Sequence, residues 1–293
     1  MGRLGRGLIV WHAAALWAIG LGMPMTAGAG WVIEQIEYAN LGAEATRTLQ
    51  YISKNRLKTA VDGTTFIIDL AKSLFTATDD ADRVYWSGTV DAYVREVKAF
   101  QEAANDLARK QMEEASKDMA PDQRKAVEDL LQQTRGANVS SASPLAARRP
   151  AVKVEPTAET GTIAGQAATK VTVYADGKPY QEVWLAKGFT LKADLDLKRL
   201  RAMQTQLTQA IMAGIPGRQA VEEDPAYEQI LEQGYPVKIV ELGEGGEPES
   251  VTEVVRLEKR DIPEREFLVP EGYRRIDLRE FFREELEKMQ KGE

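Results

Sequence analysis

The hydrophobic pattern changes texture several times along the chain, and each change predicts an element. From Gly30 to Tyr38, Val32, Glu34, Ile36 and Tyr38 alternate with Ile33, Gln35 and Glu37, the period of two that marks a strand. Ala45–Ser53 and Asn55–Val61 read as two more strands, joined tightly at Lys54-Asn55. The stretch Gly63–Gly88 then holds three short runs. Phe66, Ile67, Ile68 and Leu70 make the first, Ser73–Thr76 the second, and Arg83, Val84, Tyr85 and Trp86 the third. Runs rich in β-branched and aromatic residues, broken by Asp and Ser, predict an antiparallel meander.

At Asp91 the period lengthens. Tyr93, Val97, Phe100, Ala104 and Leu107 follow helical spacing, and Val127, Leu130 and Leu131 repeat it between Pro121 and Gly136. Residues 91–135 therefore predict a helical hairpin that packs on the sheet. Residues 136–160 are rich in Ala, Ser and Pro without periodicity and read as a mobile connector. Strands resume with the hairpin Thr169–Tyr174 and Tyr180–Ala186 around Asp176-Gly177. A helix over Asp194–Ala213 places Leu197, Leu200, Met203, Leu207 and Ile211 on one face, and Asp224-Pro225 opens a shorter helix that stops at Gly234. Tyr235–Leu242 and Ser250–Arg260 form a last hairpin. Glu264–Leu278 reads as a further strand, ending where Asp277 caps a terminal helix with Phe281, Phe282, Leu286 and Met289.

The first 29 residues have another character. Arg3 and Arg6 precede an apolar run, Leu8–Leu21, and Ala27-Gly28-Ala29 offers small residues for cleavage after Ala29. That order is a secretory signal peptide, and the expected location is the periplasm or another exported compartment. Removing it leaves 264 of the 293 residues and takes away His12, the one histidine of a chain without cysteine. The mature protein then lacks the residues for Ser-His-Asp or Cys-His nucleophilic catalysis and for thiolate or imidazole zinc sites. It must also hold its fold without disulfides, by a hydrophobic core. Losing Arg3 and Arg6 takes the 38 Lys and Arg to 36 against 45 Asp and Glu, a net charge of −9. So acidic a chain is a poor partner for nucleic acid or anionic lipid surfaces. No second span predicts an integral membrane protein after cleavage.

Several motifs fall in a recognisable order. Tyr51-Ile52 with Arg56-Leu57 is followed by Ile67-Ile68-Asp69 with Leu74-Phe75. Val183-Trp184 comes next, and Phe267-Leu268-Val269-Pro270-Glu271-Gly272-Tyr273 closes the set. The layout resembles an uncharacterised bacterial family, a domain of unknown function with a fold like that of the LolA and RseB periplasmic proteins. The resemblance implies an α+β fold, in which a curled antiparallel sheet (a LolA-like half-barrel) packs over helices. It implies one domain in which 161–293 completes the sheet begun by 30–135, with the helical hairpin inserted. It also implies an apolar cavity for acyl chains, and it implies no reaction.

The aromatics of the central strands, Tyr85, Trp86, Tyr174 and Trp184, with Met203 and Leu207 from the helix, are the candidates to line such a cavity. Sheet-to-helix core packing explains the same residues. Asp69, Asp79, Asp80 and Asp82 suggest an acid/base pair or a calcium site. Asp79-Asp80-Ala81-Asp82 lacks the glycine and glutamate of a calcium loop, and turn formation accounts for it more simply. The leading expectation is a non-enzymatic carrier of a hydrophobic ligand or a lipoprotein acyl chain, with no cofactor and no metal. The alternative is a module that binds another envelope protein, and a hydrolase working with carboxylates alone stands third.

Overall fold

A computed structural model describes residues 29–38, 44–116, 150–211, 221–222, 224–243 and 245–291. The signal segment before Ala29, the second helix of the expected hairpin and the connector up to 149 lie outside the described residues. Ala29 itself opens the first strand.

One mostly antiparallel sheet of twelve strands organises the protein, unclosed at its edges. Its first half is a meander of β1 (Ala29–Tyr38), β2 (Thr46–Ser53), β3 (Arg56–Val61), β4 (Thr64–Asp69), β5 (Leu74–Asp79) and β6 (Val84–Thr89). Its second half runs through β7 (Val152–Ile163), β8 (Gln166–Ala175), β9 (Lys178–Ala186), β10 (Tyr235–Leu242) and β11 (Pro248–Asp261). Each strand pairs with the next in sequence within each half. The halves join where β1 pairs along its length with β11, from Ala29 opposite Asp261 to Tyr38 opposite Val251. The two sequence segments thus build one sheet.

Turn chemistry sets the register. Lys54 and Asn55 both take positive φ (51° and 61°), as do Asp62-Gly63, Ala164-Gly165 and Asp176-Gly177. Two consecutive residues of that kind make the turn whose twist matches that of antiparallel strands. Four hairpins of the sheet close this way.

The helices are α1 (Val90–Ser116), α2 (Leu197–Ile211), α3 (Pro225–Gln233) and α4 (Leu278–Lys291). Each begins on a side-chain oxygen that takes a free backbone N–H. Thr89 serves Ala92, Asp196 serves Arg199, Asp224 serves Ala226, and Asp277 serves Arg279. α1 lies against β5 and β6 and runs beside α2 and α4. Phe100 stacks on Phe282, with ring centroids 4.6 Å apart.

Two readings of the sequence are corrected. Residues 152–160 belong to β7, a strand, and not to a mobile connector. Val152 and Val154 bury beside the sheet, and Pro156 is tolerated because β7 is the outermost strand and bulges there. The segment Glu264–Leu278 is not a strand throughout. It forms a 3-10 turn at Glu264–Phe267 and a two-residue strand, β12 (Arg274–Arg275), parallel to β6. Phe267 buries under the Arg56 guanidinium, 4.4 Å from the ring centre, while Glu264 and Glu266 pair with Arg56 and Lys58. Tyr273 then donates to Asp80. The segment is a strap across the sheet from β3 to the β6 edge.

Candidate ligand face

The strand registers place the inward side chains of the meander in rows that cross six strands. One row is Trp31, Ile52, Leu57, Ile68, Phe75 and Gly88. The next, two residues along, is Ile33, Gln50, Thr59, Phe66, Ala77 and Trp86. The third is Gln35, Thr48, Val61, Thr64, Asp79 and Val84. The face therefore grades from wholly apolar through mixed to largely polar, and nearly all of it is buried.

Its apolar end is the main core. Ile33, Ile52, Leu57, Ile68, Phe75 and Trp86 pack with Tyr93 and Val97 of α1, Leu200, Met203 and Leu207 of α2, and Leu278 and Phe282 of α4. Phe75, Trp86 and Tyr93 meet ring to ring at centroid distances of 4.9–6.4 Å. The Trp86 ring lies over Gly88, where an added Cβ would sit 2.6 Å from ring carbon, so glycine is required there. Burial pushes the Tyr93 hydroxyl pKa well above its ordinary value. A loop from β9 to α2 plugs one corner. There Phe189 stands edge-on between Trp31 and Tyr235. Asp194 accepts from the Trp31 indole at 3.1 Å, and Asn55 N–H bonds the Asp194 carbonyl at 2.7 Å. Desolvation raises the Asp194 carboxyl above its usual range, against the pull of Trp31 and Lys259.

The polar end is built differently. Asp79 is fully buried. Its Oδ1 accepts from the backbone N–H groups of Ala81 and Asp82, the turn role expected of it, but its Oδ2 has no partner. The Thr59 hydroxyl is buried without a partner as well. Each such atom costs about 1–3 kcal/mol if nothing satisfies it. Gln50 donates weakly to Gln35 at 3.5 Å. Sequence reading missed Gln35, Thr48, Gln50, Thr59 and Thr64. Their signal was polar residues at the inward positions of alternating strands, visible only once the register is known.

Of the six candidate lining residues, Trp86, Met203 and Leu207 join the main core and Trp184 packs against its edge. Trp184 lies 3.1 Å from the Cβ position of Gly161, two strands away. Tyr85, between Val84 and Trp86, takes the opposite face of β6 from both, and half-buried Tyr174 hydrogen-bonds Glu155 toward the β7 edge. The structure thus gathers four of the six.

A second, smaller cluster lies on the other face of the sheet. Along β9, Val183 and Leu185 enter it while Trp184 and Ala186 face the first. It joins Val171, Val173 and Ile239 to Tyr227 and Ile230 of α3, and the Tyr227 hydroxyl donates to Gln181 at 2.7 Å.

The other acidic candidates serve turns. Asp69 accepts from Lys72 N–H, and Asp80 takes Tyr273 and Thr78. Among the described residues no group of three or more Asp, Glu, His or Cys is placed to hold a metal ion, and no helix is long and apolar enough to cross a membrane.

An open, mostly antiparallel sheet with three helices on one face and one on the other is the class this geometry defines. Residues 134–273 match the family model described as Domain of unknown function (DUF4412), in line with the resemblance to an uncharacterised family. No curated protein matches the chain. Among solved structures, an uncharacterized conserved protein from Thermus thermophilus matches at 8% identity and TM-score 0.39, covering 85% of this chain and 91% of that one. PNGF-II matches at 12% identity and TM-score 0.34, over 89% of this chain and 33% of that one. MucB, which is RseB-like, matches at 9% identity and TM-score 0.33, over 83% and 58%. The chain thus spans a third of PNGF-II and under two thirds of MucB.

Proposed function

We propose that the protein is an exported, periplasmic binding or carrier protein, in which the curled sheet serves as a LolA-like half-barrel and α1, α2 and α4 as its cover. The ligand is a hydrophobic molecule or the acyl chain of a lipoprotein, taken up between sheet and helices, and no reaction is catalysed. One observation carries this reading. Among the described residues no backbone hydrogen bond ties α1, α2 or α4 to the strands of the graded face. The helices meet it through side chains. Met203 beside Leu207 gives the cover an adaptable surface. The leader ending at Ala29 supports export.

The sheet edges argue against uptake of a partner strand. β7 carries Pro156 and a bulge, and β12 occupies the start of the β6 edge. The alternative, an envelope protein-binding module, draws on the outer part of α1, where Met112 is 41% exposed. MucB has been crystallised in complex with MucA(peri), a partner of that protein.

Native mass spectrometry of residues 30–293, purified from a bacterial periplasm without detergent, tests the proposal. A lipid-range adduct lost on denaturation is the expected result. A protein that stays free of adduct after lipid challenge overturns the carrier reading in favour of the protein-binding one.

A further inference from the structure

The gradient across the covered face points beyond a simple acyl site. A core that only supports a fold gains nothing from a buried carboxylate oxygen and a buried hydroxyl without partners, because each loses its water and regains no hydrogen bond. Asp79 Oδ2 and Thr59 Oγ1 are both in this position, and the registers put both on the face of the sheet that carries the main core. The registers fix their separation. Asp79 stands opposite Thr64 on β4, which stands opposite Val61 on β3, two residues from Thr59. Two strand spacings and two residues put their Cα atoms about 12 Å apart. A head group that bridges them would meet Thr64 and Phe66, which stand between them on the same face. The apolar row from Trp31 to Phe75 lies two rows from the polar one and runs parallel to it across the strands.

Resting on the carrier reading above, we propose that the ligand is an amphiphile with an uncharged, hydroxyl-bearing head, whose chain lies along the Trp31–Phe75 row. Asp79 Oδ2 accepts a hydroxyl hydrogen from the head, and Thr59 Oγ1 donates to a carbonyl oxygen further along. A carboxylate as acceptor selects against an anionic head, since two negative charges would share one water-poor site. The acidic net charge of the chain works in the same direction.

The test compares two ligands with the same chain, 1-monolauroylglycerol and laurate, each titrated below its aggregation concentration at pH 7.5. The wild-type protein should bind the glyceride about tenfold or more tighter, the discrimination of one hydrogen bond to a charged group. Asp79→Asn keeps an oxygen for the turn and turns the free position into a donor, so the preference should shift toward laurate. Thr59→Val, close in shape, should weaken the glyceride without unfolding the protein, and it decides the matter if the Asp79 variant does not fold. Equal binding of the two ligands by the wild type, or tighter laurate, overturns the head-group assignment and leaves the carrier reading standing. Binding of neither overturns both.

Discussion

Gln181 on one face of the sheet and Asp79 on the other bury their polar groups in opposite ways. On the face of the smaller cluster, Gln181 is matched, receiving the Tyr227 hydroxyl and donating to Glu241 at 3.3 Å. On the face of the larger cluster, Asp79 Oδ2 and Thr59 Oγ1 are left over. The first arrangement is that of a closed structural core. The second keeps hydrogen-bonding capacity in reserve inside the fold, at a cost in stability that a bound molecule would offset. On the proposed function, binding and scaffold would fall on the two faces of one sheet, and β9 feeds both clusters by alternation.

The comparison can be broken most severely at the centre of the larger cluster. Phe75→Ala removes a ring packed against Phe66, Trp86 and Tyr93 and should cost about 3–5 kcal/mol in urea unfolding. Gln181→Leu should cost about 1–3 kcal/mol by removing the acceptor of the Tyr227 hydroxyl, and Tyr227→Phe in the same background should recover part of that loss. Thr59→Val sharpens the contrast by its sign. Removing an unpartnered hydroxyl should leave the ligand-free protein unchanged or more stable by up to about 1 kcal/mol. If Thr59→Val destabilises as Gln181→Leu does, the two faces do not differ in kind.

The smallest effect is at Asp194, and it depends on pH. Its carboxyl pKa is raised in the folded state, so the folded protein binds this proton more tightly than the unfolded chain does. The stabilisation that follows is complete below the ordinary Asp range and is lost as pH climbs through the raised value. Asp194→Asn keeps an acceptor for Trp31 and should raise the Tm at pH 7, with the gain vanishing as pH falls toward 3. A gain that persists at low pH would assign the effect to packing instead.

The meander was legible because its hairpins are local. Alternation at Val32–Tyr38 and the Asp176-Gly177 signal each encode a strand or turn within a few residues, and Asp224-Pro225 and Asp277 start helices at the positions expected. β7 was not legible. Its Val-x-Val alternation at 152–154 is followed by Pro156, and only pairing with β8 makes a strand of it. The strap failed for a related reason: Phe267 buries through Arg56, some 200 residues earlier, a contact no local period announces. The aromatic candidates were readable as apolar, but which face each one takes is a matter of register, and this divides Tyr85 from Trp86. The polar row was hidden for the same reason. Gln35, Thr48, Thr64 and Asp79 come from four strands and become one row only after pairing.

Hydrogen exchange with and without 1-monolauroylglycerol tests the division of labour most directly. Bound ligand should slow exchange in Val90–Ser116, Leu197–Ile211 and the strands Arg56–Asp79, and leave Pro225–Gln233 unchanged. Protection that appears at Pro225–Gln233, or that spares the graded face, would contradict the assignment of ligand binding to the larger cluster.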